Sequence, residues 1–183
     1  MKVFLPKPLA FLICVSIVLL FSVRAYASPF GQGVFGADVP FGSATSISID
    51  LGGNVQLTLA PDGGNYSGTQ SHVVTVTSTD VVGYYLYAHA TTSANMTTGS
   101  AAIAASTNTS ASPLSVGTWG YNTTGSTTNF LGMKTTSSLL VDANGPFTNG
   151  NPTTVTYGAL IGPTQEAGTY SVPITYTAVA KNQ

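Results

Sequence analysis

The feature that most limits the fold of this chain is apolar alternation with period two. It recurs along short segments, and no helical period replaces it after residue 28. Successive side chains of a strand point to opposite faces, so alternation makes one face apolar and one wet. In SISIDL, Ile47, Ile49 and Leu51 share a face, and in NVQLTLA Val55, Leu57 and Leu59 do. Gly52-Gly53 between them reads as a hairpin turn, and Pro61-Asp62-Gly63-Gly64-Asn65 as the next turn. In SHVVTVTST, Val74 and Val76 oppose Val73, Thr75 and Thr77. GYYLYAHA sets Tyr84, Leu86 and Ala88 on one face and Tyr85, Tyr87 and His89 on the other. Residues 91–113 read as loop with a short strand near Ile103. Val116 to Tyr121 is strand around Trp119, 122–150 is turns with short apolar pieces, and Thr153 to Leu160 is strand. After Gly168, Tyr170, Val172, Ile174, Tyr176 and Ala178 line one face of a single long strand. Eight or nine short strands separated by turn signals predict an all-β fold, an antiparallel β-sandwich of immunoglobulin-like type, with a closed barrel as the alternative.

The N-terminus is of another kind. Lys2 and Lys7 precede an apolar run over 9–23, Arg24 follows, and Ala25-Tyr26-Ala27 comes before Ser28. A basic start, an apolar run and an Ala-x-Ala site predict a secretory signal peptide over 1–27, cleaved between Ala27 and Ser28. The run is shorter than the roughly 20 residues of a spanning helix. No membrane span is expected once it is removed. Cys14, the single cysteine, leaves with it. A Gly/Phe-rich arm over 28–44 follows, carrying Phe30, Phe35 and Phe41. It can lie across its own domain or dock on a neighbouring subunit. The sandwich domain is expected over 45–180, in a protein that is secreted and associated with the cell surface.

Charge narrows the function. Only 6% of the residues are charged, against about 25% in an average soluble domain. Past Ala27 the cations are Lys134 and Lys181, and 44 residues are Ser or Thr. Two lysines cannot neutralise a phosphate backbone, so nucleic acid is not a partner.

Catalytic chemistry has few candidates. Past the leader there are two His, one Glu, five Asp and no Cys. His72 and His89 sit on strands that could meet across a sheet, but no HxH or HExxH spacing marks a zinc site. No Gly-x-Ser-x-Gly elbow is present, and Glu166 lies in a turn. Asp142-Ala143-Asn144-Gly145 has the opening of a calcium loop without its downstream Glu, and reads as a turn. Asn65, Asn95, Asn108 and Asn122 fit Asn-x-Ser/Thr, close to the number chance supplies in so Thr-rich a chain. An isopeptide bond from Lys134 or Lys181 to an Asn would need a buried lysine beside a buried acid. Lys181 is expected at a frayed terminus and Lys134 in a loop. No catalytic residue, metal or cofactor is therefore expected.

Four motifs stand in order: Asp80-Val81-Val82-Gly83-Tyr84, Thr118-Trp119-Gly120-Tyr121, Val155-Thr156-Tyr157-Gly158, and Ala167-Gly168-Thr169-Tyr170 with Tyr176-Thr177-Ala178. As a set they resemble a family of secreted bacterial surface proteins, pilin-like and built on a single β-sandwich domain. The resemblance covers roughly residues 29–180. It implies export and a cell-surface role, and it brings no catalytic residue. The expected function is a non-enzymatic structural, pilus-like or adhesive subunit. The alternative is a secreted carbohydrate- or ligand-binding module. Candidate contacts for self-association, other surface proteins or glycans are Phe30, Phe35, Phe41, Tyr85 and Tyr87.

Overall fold

The computed structural model describes residues 45–181. The ten strands are β1 (Ser46–Leu51), β2 (Ala60–Asp62), β3 (Asn65–Thr79), β4 (Gly83–Ala90), β5 (Met96–Thr98), β6 (Ala101–Ala105), β7 (Thr118–Asn122), β8 (Ser138–Asn144), β9 (Phe147–Ile161) and β10 (Ile174–Ala180). No helix occurs among the described residues. A seven-stranded sheet runs β1-β3-β9-β7-β6-β5, with β2 also on β3, and a three-stranded sheet runs β10-β4-β8. The all-β expectation holds, and the arrangement is sandwich-like. The pairing is not wholly antiparallel, because β6 lies parallel to β7.

The core fills the space between the sheets. Val74 and Val76 of β3, Tyr84 and Leu86 of β4, Trp119 of β7 and Val155 of β9 are all buried. Each such side chain contributes about 1.5–3 kcal/mol by leaving water. Trp119 anchors this core, fully buried, with Nε1 donating to the Ala94 carbonyl at 2.9 Å. Its ring lies 6.2 Å from that of Tyr157.

Two turn readings fare differently. Gly63 and Gly64 have φ of 56° and 87°, the left-handed pair of a type I′ hairpin joining β2 to β3. Gly52-Gly53 is not a hairpin turn. β1 and β2 both pair with β3, Leu51 facing Val74 and Ala60 facing Ser67, so the chain keeps its direction. Nine steps on one side match seven on the other, and two extra residues are absorbed between them. Val55, Leu57 and Leu59 still pack on the core, as alternation predicts, but residues 54–59 make no backbone hydrogen bond among the described residues.

The last strand is also shorter than expected. The ladder with β4 starts at Ile174, directly after Pro173. Upstream, Ser171 pairs instead with Thr97 of β5, exchanging bonds of 3.0 and 3.1 Å. Pro173, which has no N–H to give, stands where the chain leaves one partner strand for the other.

The Thr-rich loops form a layer over the outer side of β7 and β9. Gly120 and Gly158 face each other across the two strands and leave a trough, in which the Phe130 ring lies. Two asparagines hold this layer. Asn122, 1% exposed, donates to the Ser126 and Asn129 carbonyls and accepts from the Thr124 and Ser126 N–H groups. Asn108 donates to the carbonyls of Ser112, Pro113 and Phe130. The hydrogen bonds of these two amide groups are therefore structural, although both residues lie in Asn-x-Ser/Thr sequences.

Candidate functional site

The outer face of the small sheet carries the two tyrosines singled out above. Alternation along β4 sends Tyr84, Leu86 and Ala88 into the core and leaves Tyr85, Tyr87 and His89 half-buried on the other side. Cross-strand partners share a face. Tyr87 is flanked by Leu139 of β8 and Thr177 of β10, and Tyr85 by Asp142 and Val179. A bulge on β8 sets this register. Leu86 faces Val141 and Tyr87 faces Leu139, so Leu140 is the extra residue and packs on the core. Without that bulge Leu140, not Leu139, would stand beside Tyr87. The tyrosine rings are 6.2 Å apart, and Leu139 and Val179 are 51% and 46% exposed. The result is a flat apolar stripe rather than a pocket.

One end of the stripe is charged. Lys181 Nζ lies 4.7 Å from the Tyr85 ring centroid, contacts Asp142 Oδ1, and donates to Asn144 Oδ1 at 2.8 Å. Lys181 is not frayed: its N–H donates to the Gly83 carbonyl at 2.9 Å, and its side chain is 14% exposed. Proximity of these three residues was invisible in the sequence, because 37 positions separate Asn144 from Lys181.

The histidines do not meet. His72 is on β3 of the large sheet, and its Nε2 is 2.8 Å from Tyr176 Oη of the opposite sheet. Tyr176 Oη in turn bonds Tyr157 Oη at 2.6 Å. His89 belongs to β4 in the small sheet, opposite Thr175. Burial pushes the His72 imidazole below its ordinary value, with the Gly53 backbone opposing the shift. Its Nδ1 is enclosed without a hydrogen-bond partner. Burial likewise pushes the Tyr157 and Tyr176 phenols up, so both stay neutral. Among the described residues neither histidine pairs with a carboxylate, and no group of three His, Cys, Asp or Glu is placed to hold a metal. The His72 cluster is thus a hydrogen-bonded chain of neutral groups between two sheets.

Lys134 is exposed beside a shallow cleft of about 160 Å³ that Tyr121, Asn108 and Ser138 also line. Glu166 is exposed in the turn before β10, and its carbonyl accepts from Tyr170 Oη at 2.7 Å. Asp142 and Asn144, the first oxygens of the calcium-like sequence, are directed at Lys181. Ala25, Ala27 and Ser28 of the cleavage site, and Phe30, Phe35 and Phe41 of the arm, lie outside the described residues. No helix among the described residues is long and apolar enough to cross a membrane. No protein-family model matches this chain, and no curated protein or solved structure matches it.

Proposed function

We propose that this chain is an exported, non-enzymatic surface protein, a structural, pilus-like or adhesive subunit on an immunoglobulin-like sandwich. The observation that carries the reading is the outer face of the small sheet. There Leu139 and Val179 stand exposed on either side of two half-open tyrosine rings. Such a face gains by being covered, and a flat one is covered by a macromolecule rather than by a small substrate. The leader over 1–27 supplies export, and the 28–42 arm is the candidate connector between subunits. The test is electron microscopy of producing cells with a labelled antibody. Labelled filaments or a surface coat support the reading; protein found only inside the cell refutes it. Deleting 28–42 should abolish assembly while leaving the domain folded.

A second reading, glycan binding, is favoured by the partial opening of Tyr85 and Tyr87 on one face, since sugars stack on such rings. It predicts that glycan-array binding is lost in Tyr85→Ala and Tyr87→Ala while self-association persists.

A further inference from the structure

We propose that Tyr176 is a redox-active tyrosine: it takes up an oxidising hole formed on the core tryptophan, and His72 receives its proton. Four side-chain rings are linked for this. The Trp119 ring lies 6.2 Å from the Tyr157 ring, Tyr157 Oη is 2.6 Å from Tyr176 Oη, and Tyr176 Oη is 2.8 Å from His72 Nε2. The chain runs outward: Trp119 and Tyr157 are buried, whereas Tyr176 and His72 are half-buried. The direction of its hydrogen bonds follows from the imidazole. The Gly53 backbone favours the charged, doubly protonated ring, as a carbonyl facing an N–H does and an N–H would not. Nδ1 therefore carries the hydrogen, and Nε2 is the acceptor. Burial keeps the ring neutral, so the Nε2 lone pair can receive a proton. Tyr176 thus donates to His72, and Tyr157 donates to Tyr176. Among the described residues Tyr176 is the one tyrosine hydrogen-bonded to an imidazole. Trp119 is placed differently. Its Nε1 donates to the Ala94 carbonyl, and a backbone carbonyl is too weak a base to take that proton. A hole on Trp119 therefore stays charged and strongly oxidising, whereas on Tyr176 it is neutralised by loss of the phenol proton.

The step balances with a one-electron oxidant as co-reactant. The oxidant removes one electron from Trp119. One electron then passes from Tyr176 to Trp119 by way of Tyr157, and the indole is restored. The Tyr176 phenol proton crosses to His72 Nε2, and no other bond breaks. The products are a neutral Tyr176 phenoxyl radical and a His72 imidazolium, which donates its new N–H back to Tyr176. A small reductant, such as an enediol or a phenol, returns the electron at Tyr176, and the proton returns from Nε2. Past the leader the chain has no cysteine to absorb a hole. The proposal does not depend on the functional reading above, because it concerns how the core survives oxidation rather than what the outer face binds.

The experiment is transient absorption on the purified protein. Trp119 is the single tryptophan, so ultraviolet light too long in wavelength for tyrosine places the hole there, with methyl viologen taking the electron. In the wild type the tryptophan radical should give way to a tyrosyl radical. The transfer should slow in heavy water, because a proton moves with the electron. Tyr176→Phe removes the terminus and should lengthen the tryptophan radical's lifetime by about tenfold or more. His72→Gln keeps a hydrogen-bond acceptor but no base, and should lengthen it comparably. A purely structural role for His72 would leave that lifetime unchanged. Each variant is first shown to unfold cooperatively in urea. An unchanged lifetime in Tyr176→Phe or in His72→Gln overturns the proposal. So does the absence of a solvent isotope effect in the wild type, a measurement that needs no variant to fold.

Discussion

Removing one oxygen atom from Tyr176 tests whether the His72 cluster holds the sheets together. In Tyr176→Phe the ring stays and the hydroxyl goes. That hydroxyl serves two partners, His72 Nε2 at 2.8 Å and Tyr157 Oη at 2.6 Å. The Gly53 backbone lies near the ring but makes no well-formed hydrogen bond to His72 Nδ1, so the ring would lose its one good partner. Leaving an enclosed polar group unpaired costs about 1–3 kcal/mol. Two such groups give an expected loss of about 2–6 kcal/mol in Tyr176→Phe. Tyr157→Phe breaks one bond only and should cost about half as much. The assay is urea unfolding followed by Trp119, the single tryptophan, which is fully buried in the folded domain. The midpoint should fall with an unchanged m-value. A loss in Tyr176→Phe no larger than in Tyr157→Phe would refute the idea that Tyr176 serves both partners. A His72/Tyr176 double-mutant cycle should show coupling, since the two side chains touch.

Three further outcomes are expected. His72 titrates below its ordinary value, 6.5, when folded, so the folded state binds fewer protons than the unfolded chain between the two values. Stability should be full above that ordinary value and fall as pH drops through the window, by at most about 1.4 kcal/mol per pH unit; His72→Asn should remove that component of the acid limb in urea titrations at several pH values. Gly158→Ala would place a Cβ 2.3 Å from Phe130 Cζ and should cost about 1–3 kcal/mol by overpacking, with Phe130→Leu restoring much of it in calorimetry. In hydrogen exchange, amides of 54–59 should exchange far faster than those of Val74 and Val76, because the former have no ladder bonds.

Much of the fold follows from the sequence alone, wherever a property depends on neighbours in the chain. The faces of β4, the Val74–Val76 core side of β3, the Gly63-Gly64 hairpin and the buried role of Trp119 all come from local alternation and turn chemistry. The inward set of Val55, Leu57 and Leu59 does too. Pairing does not, because a glycine pair permits a turn without requiring one. Gly52-Gly53 serves a register slip, since β3 is long enough to accept β1 and β2 on the same edge. Pro173 likewise reads as an interrupted strand, and only the bond between Ser171 and Thr97 makes it a passage from β5 to β4. The stretch over 122–137 has no periodicity to read, because its order comes from the Asn122 side chain and from a Gly trough formed by two distant strands, and β8 read only as a short apolar piece because the bulge at Leu140 breaks its alternation. The Tyr85–Tyr87 face was visible in advance as alternation, but its flanks, Leu139 and Val179, depended on a bulge and a register. Lys181 shows the division most sharply. Its sequence position suggested a loose end, whereas the sheet carries it across Gly83 to Asp142 and Asn144. Local pattern determines which way a side chain points, and only the closing of strands distant in sequence determines what it meets.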